Sequence, residues 1–163
     1  MVLTRIRRIM HPSDLSRTSA RAFLKAVQFA KLNRARLLLV HVLAPIAPII
    51  GDDYTSSPRM YVELQRCARV HGRKALEKLV VKAKKSGVRV RGLLLEGPPA
   101  LEIVRAIRST RTDMIVMGTH GRTGVAMFFI GSVAQRVVRT ALWPVLTVRS
   151  RLASHTVSGR RFV

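Results

Sequence analysis

One stretch of this sequence is suited to meeting an anion. Gly118-Thr119-His120-Gly121-Arg122-Thr123-Gly124 supplies glycines that let backbone amides approach a phosphate with no side chain intervening. Gly131-Ser132 follows, and a helix opening there would add free N–H groups, a favourable dipole and the Ser132 hydroxyl. Spacing alone leaves a second use open, in which these glycines only make turns and start a helix. A second short stretch, Pro12-Ser13-Asp14, places a carboxylate in a turn. Asp14 would either face a ligand or cap Ser16-Arg17-Thr18.

The elements that must position these residues alternate along the chain. Residues 6–10 are short and rich in Ile and Met, which predicts a first strand ending in the Pro-Ser-Asp turn. Ser16 is placed to cap a helix running to about residue 33, with Ala22, Phe23, Ala26, Val27 and Ala30 on one face. Residues 36–43 contain the run Leu37-Leu38-Leu39-Val40, a strand buried on both faces as in a parallel sheet. Residues 44–59 hold three prolines and Gly51 and predict a long flap or insertion. A second helix is expected over 61–85, with Leu64, Ala68, Leu76, Leu79 and Ala83 inward, Gly72 weakening its middle and Gly87 ending it. Residues 88–95 read as a third strand. Pro98 or Pro99 opens a third helix with Leu101, Ile103, Val104 and Ile107 inward. A fourth strand (113–117) ends at Gly118, a fourth helix spans 132–141 and a last strand 144–149. Alternating strands and helices predict a three-layer α/β fold with four helices around a five-stranded parallel sheet. In such a sheet a ligand lies beyond the carboxyl ends of the strands, where strand order reverses.

Gly118-x2-Gly121-x9-Gly131-Ser132, after an Asp-Met-Ile-Val-Met strand, resembles the nucleotide-binding signature of the universal stress protein family. The Pro12-Ser13-Asp14 turn is similar to that family's Pro-(Thr/Ser)-Asp, Leu39-Val40-His41-Val42 to its second strand, and Pro144-Val145-Leu146-Thr147-Val148 to its terminal one. The likeness runs over roughly residues 4–149. It implies strand order 3-2-1-4-5 and a bound adenine nucleotide, ATP or its AMP or ADP relatives. Pro12, Ser13, Asp14 and Val42 would hold the adenosine end, with Asp14 accepting bonds from ribose hydroxyls or an adenine amine. Met117 and Gly118 would border the ribose, and Gly118, Gly121, Gly131, Ser132 and Val133 would cradle the phosphates, with His120 beside the ligand. The bulky Phe128-Phe129-Ile130 before Gly131 departs from the pattern and leaves ATP, AMP and a cyclic nucleotide as alternatives. The resemblance further implies a homodimer through the last strand, with Val145, Leu146, Thr147 and Val148 as its edge, an edge that pairing would protect.

Efficient catalysis is not expected. There is no G-x-x-x-x-G-K-[ST] for a P-loop NTPase and no G-x-S-x-G elbow. A Ser-Gly-Gly-x-Asp-Ser loop after the first strand is absent as well. Asp14 is the one acid near Gly118, so Mg²⁺ would come with the nucleotide and not with a pair of carboxylates. Slow ATP hydrolysis, or autophosphorylation on Ser132 or Thr123, is the remaining enzymatic alternative. His11, His41 and His120 fall near the ends of strands that the family's order makes neighbours, and three imidazoles on one crevice would suit zinc. Strands alternate their faces, however. The expectation is no metal site, with these histidines as polar lining or surface residues.

The chain has 163 residues, room for one domain, with 48% hydrophobic and 23% charged residues, a globular balance. A domain over residues 1–149 and a loose basic tail over 150–163 are expected. Cys67 is the only cysteine, which excludes an internal disulfide or a multi-cysteine metal site. The longest apolar run, residues 37–50, is interrupted by His41, Pro45 and Pro48 and falls short of the ~20 residues of a membrane span. No uninterrupted apolar segment follows the first arginines, so a cytoplasmic protein is expected. Lys and Arg number 30 against 8 Asp and Glu, a net +22, so the surface attracts polyanions. Arg66, Arg69, Arg73, Lys74, Lys78, Lys82 and Lys85 would form a basic outer face on the second helix, joined by Arg17, Arg21 and Lys25. That face is either a solvated surface or a contact for nucleic acid or an anionic membrane; non-specific nucleic-acid or polyanion binding through it is the alternative function, since aromatics are only 5% and no specific recognition motif is present.

Overall fold

A computed structural model describes residues 5–45, 58–119 and 131–149. Residues 46–57 of the expected flap, His120, Gly121, Thr123, the Phe128-Phe129-Ile130 triplet and the tail lie outside the described residues. The elements follow the order β1 (Arg8–Pro12), α1 (Ala20–Asn33), β2 (Arg36–Leu43), α2 (Pro58–Lys85), β3 (Val90–Glu96), α3 (Pro99–Thr110), β4 (Met114–Gly118), α4 (Ser132–Thr140) and β5 (Val145–Val148). The strands form one five-stranded sheet in the order β3-β2-β1-β4-β5, every pair parallel. The chain builds outward from β1 to β3 and then returns to the other side of β1 with β4. Strand order therefore reverses between β1 and β4, which opens a crevice at their carboxyl ends.

Alternation along the strands divides the core in two. Ile9, Leu37, Leu39 and Val116 face α1 and α2, whose Phe23, Ala26, Val27, Leu76 and Ala83 cover them. Met10, Val40, Ile115 and Met117 face α3 and α4, against Ile103, Ile107, Ala134 and Val137. The inward face expected for α1 is the one observed.

Several local expectations change. Helix α1 starts at Ala20, four residues after Ser16, because the Ser16 hydroxyl bonds the Asp14 carboxylate at 2.7 Å and Thr18 at 2.6 Å. Strand β1 runs on through Pro12, since parallel pairing to β2 continues until the Ser13 N–H donates to the Val40 carbonyl at 2.8 Å. Strand β4 begins at Met114. Asp113 before it accepts the Arg7 and Arg8 amides at 2.7 and 2.8 Å, a brace at the opposite end of the sheet.

Leu64 and Leu101 are exposed, not inward. For Leu64 the reason is length. The 28 residues of α2 extend about 42 Å, whereas a strand of seven or eight residues spans about 25 Å. The first half of α2 therefore overhangs the carboxyl edge of the sheet. Gly72 is not a weak point in that helix but a contact point. A Cβ there would stand 3.1 Å from Leu43 Cδ2 and 3.3 Å from His41 Cδ2, and Gly92 on β3 meets Leu76 and Val80 in the same manner.

Candidate functional site

The carboxyl ends of β1, β2 and β4, the overhanging part of α2 and the start of α4 surround a cleft of about 810 Å³. Its floor begins with the turn after β1. Ser13 is buried, its amide bound to Val40 and its hydroxyl accepting the Leu15 N–H at 3.1 Å and lying 3.1 Å from Ser19 Oγ. Asp14 Oδ1 accepts the Ser16 N–H at 3.1 Å as well as the Ser16 hydroxyl, which closes a turn ahead of α1 and does not cap the helix, whose first residue is Ala20. Leu15 sits at φ 64°, a left-handed conformation unusual for a bulky side chain, and it too lines the cleft. The hydrogen-bonded turn holds that strain in place.

The two described histidines of the sheet brace the site from below. His41 Nδ1 donates to the Ser13 carbonyl at 2.8 Å, tying β2 to the turn, and its ring lies under Gly72. His11 Nδ1 donates to the Val116 carbonyl at 2.8 Å, tying β1 to β4 beneath the crevice. His11 is wholly buried beside Phe23, and its Nε2 has no hydrogen-bond partner among the described residues. Burial pushes its pKa from 6.5 down to about 4, against the opposing pull of the Val116 carbonyl and the Asp14 charge. The expectation that these histidines are lining or surface residues thus holds for His41 but fails for His11, which is core. Among the described residues no three His, Cys, Asp or Glu side chains form a metal-binding group.

The far wall is the amino end of α4. The Gly131 N–H donates to the Thr119 carbonyl at 2.7 Å, which brings together the two ends of the segment between them. Gly131 is the N-cap residue, with no side-chain cap bond, and the first turn of α4 carries no acidic residue. Among the described residues no side chain caps the first N–H groups of α4, and Ser132 and Val133 of that turn line the cleft. Such a terminus favours an anion. Val42 and Met117 supply apolar walls between the turn and the helix. Pro12, Ser13, Asp14, Val42, Met117, Gly118, Gly131, Ser132 and Val133 are all brought to this one cleft. His120 and Gly121 lie outside the described residues.

A fold with this crevice now admits comparison. The sequence profile of the universal stress protein family matches residues 5–149. The chain belongs to the universal stress protein family. Universal stress protein MJ0531 of Methanocaldococcus jannaschii is 36% identical over 143 residues, covering 88% of this chain and 82% of that protein. The solved structure of MJ0577 from the same organism superposes with a TM-score of 0.78 at 25% identity, covering 92% of this chain and all of that one. A universal stress protein family protein from Arabidopsis thaliana, solved with AMP bound, shares the fold with a TM-score of 0.63 at 22% identity, over 89% of this chain and 92% of that one.

In this family member, α2 contributes more to the cleft than its sequence pattern suggests. Ala68, His71, Gly72 and Ala75 line it from the overhanging half of the helix. The readable signal was the succession of small residues 68, 72 and 75 on one helical face, which permits close approach. Arg69, expected on the basic outer face, instead forms a two-bond ion pair with Glu96 at 2.5 and 2.8 Å, which ties α2 to the end of β3. That pairing raises the Arg69 pKa and lowers that of Glu96.

Proposed function

We propose that this universal stress protein binds an adenine nucleotide, ATP or its AMP or ADP relatives, in the cleft between β1 and β4. Occupancy alters the conformation that a regulatory partner meets, with little or no catalysis, as in a stress sensor. One observation carries the reading: the helix terminus at Gly131 and Ser132, which no side chain caps among the described residues, faces the Pro12–Asp14 turn across an apolar-walled cleft at the point of strand reversal. The cleft, about 810 Å³, lies in the range of small-molecule sites. In this arrangement the N–H groups and hydroxyl of α4 meet the phosphates, with Mg²⁺ arriving on the nucleotide. Val42 and Met117 pack on the adenosine, and Asp14 faces its polar edges. The AMP-bound relative supports the same class of ligand.

The nucleotide-binding domain runs over residues 1–149, with 150–163 as a basic tail, and the protein works in the cytoplasm as a homodimer through β5. That strand is an outer strand of the sheet, and its Pro144 and Val148 carbonyls face β4. The groups of Val145 and Thr147 therefore point to the open edge. No helix among the described residues is long and apolar enough to cross a membrane.

Calorimetric titration with ATP, AMP and inorganic triphosphate, at low salt and at about 0.3 M salt, tests the reading. A +22 surface acting alone binds triphosphate as well as ATP and loses both together on screening. ATP binding that persists at high salt while triphosphate is lost supports a pocket that reads adenosine. Gly131→Val with Ser132→Ala should then abolish ATP binding and leave DNA affinity nearly intact. Hydrogen exchange across residues 118–131 that is unchanged at saturating ATP would remove the conformational part.

A further inference from the structure

Independently of the cleft, the outer surface of the α1/α2 layer pairs cations with exposed aliphatic side chains. Both helices pack on one face of the sheet, and the Lys82 ammonium of α2 stands 5.6 Å from the centre of the Phe23 ring of α1. Arg21, Leu24, Gln28, Lys31 and Leu32 recur at near-helical spacing on the side of α1 away from the sheet. Leu24 is 56% and Leu32 74% exposed. On α2, Val70, Lys74, Lys78, Val81 and Lys85 follow one another at spacings of three and four, opposite the buried Leu76 and Ala83, with Val70 59% and Val81 51% exposed.

Helix α1 contains no acidic residue, and α2 contains only Glu63 and Glu77. Lys74, Lys78 and Lys85 make no ion pair among the described residues. Two helices laid on one sheet face present their outer stripes side by side. The charge is complementary to any phosphate-bearing surface, but the aliphatic residues discriminate between them. A nucleic acid gains from the cations and nothing from exposed Leu and Val, and neither stripe holds an aromatic ring on which a base could stack. An anionic bilayer uses both: headgroup phosphates meet Lys and Arg, and the headgroup–acyl boundary takes up the aliphatic side chains.

We propose that the α1/α2 face is a docking surface for an anionic lipid bilayer, with Leu24, Leu32, Val70 and Val81 entering the headgroup boundary between the basic residues.

The test is co-sedimentation of the full chain with large unilamellar vesicles of phosphatidylcholine, with and without about 30% phosphatidylglycerol, at low salt and at about 0.3 M salt. The expected result is binding to the anionic vesicles alone, weakened by salt. Leu32→Ser with Val81→Ser should lower vesicle affinity at least about tenfold while leaving affinity for a double-stranded DNA probe unchanged. Both sites are exposed, and an unchanged thermal melt confirms that the pair folds. Lys74→Glu with Lys78→Glu should weaken both ligands. Absence of binding to anionic vesicles at low salt overturns the proposal. So does vesicle affinity in the double-serine variant equal to that of the parent, which would reduce the face to general attraction for polyanions.

Discussion

Acid should destabilise this protein through its buried histidine, His11. Its ring is wholly buried between β1 and α1, with Nδ1 committed to the Val116 carbonyl and Nε2 facing no partner among the described residues. Burial holds the folded pKa near 4, whereas the unfolded chain has the ordinary 6.5. Above 6.5 both states are neutral and the fold has its full stability. Between 6.5 and about 4 the unfolded chain takes up a proton that the folded protein refuses, and stability falls by about 1.4 kcal/mol per pH unit. The loss from this residue reaches roughly 3 kcal/mol near pH 4 and then stops growing, because both states are protonated below it. Against a typical total of about 5–15 kcal/mol, that is a large share.

Urea unfolding from pH 7.5 to 4 measures the loss. Carboxylates also titrate in this range, so the comparison is with His11→Asn. The Asn amide occupies the position of Nδ1 and still donates to the Val116 carbonyl, but it has no proton to gain. A constant offset between the proteins reports lost packing. The informative quantity is the gap, which should change by roughly 3 kcal/mol in favour of His11→Asn as pH falls. Parallel stability curves for the two proteins would refute the reasoning.

Three further outcomes follow from the same contacts. Gly72→Val should destabilise the fold by about 1–3 kcal/mol, because the new side chain meets Leu43 and the pinned His41 ring, and it should narrow the cleft; urea unfolding and ATP titration read the two effects. Arg69→Met should raise the Glu96 pKa toward the ordinary carboxylate value, since the guanidinium is what lowers it; a carbon-detected NMR titration of the Glu96 carboxyl reads this directly. Thr147→Pro removes a donor from the open edge of β5 and leaves the Pro144 and Val148 carbonyl bonds to β4. If β5 pairs two subunits, sedimentation should show monomers, and an undiminished dimer would place the interface elsewhere.

The order of strands and helices was legible in the sequence because its signals are local. Continuous apolar runs such as 37–40 mark strands covered on both sides, and the Ala-Phe-Ala-Val-Ala face of α1 fixes which side turns inward. Glycine and proline punctuation located the turn at Pro12–Asp14 and the helix start at Gly131, so much of the candidate site could be named before any contact was known. Strand order and the distribution of the site over several elements were different matters. The order came from a family resemblance, because parallel pairing joins residues far apart in sequence and no local pattern encodes the neighbour.

Only the tertiary structure decided what individual side chains do. His11 and His41 are both strand histidines near the sheet's carboxyl edge, yet one is sealed beneath α1 and the other lies at the cleft floor. Asp14 and Ser13 line the cleft, and only the structure shows that Asp14 Oδ1 and the Ser13 hydroxyl also make the hydrogen bonds that hold Leu15 in its left-handed turn. Gly72 reads as a flaw in a helix until the helix is laid on β2, where the missing Cβ is what allows the approach. Composition and period describe each segment by itself, and whether α2 overhangs the sheet depends on two lengths that meet only when the chain is packed.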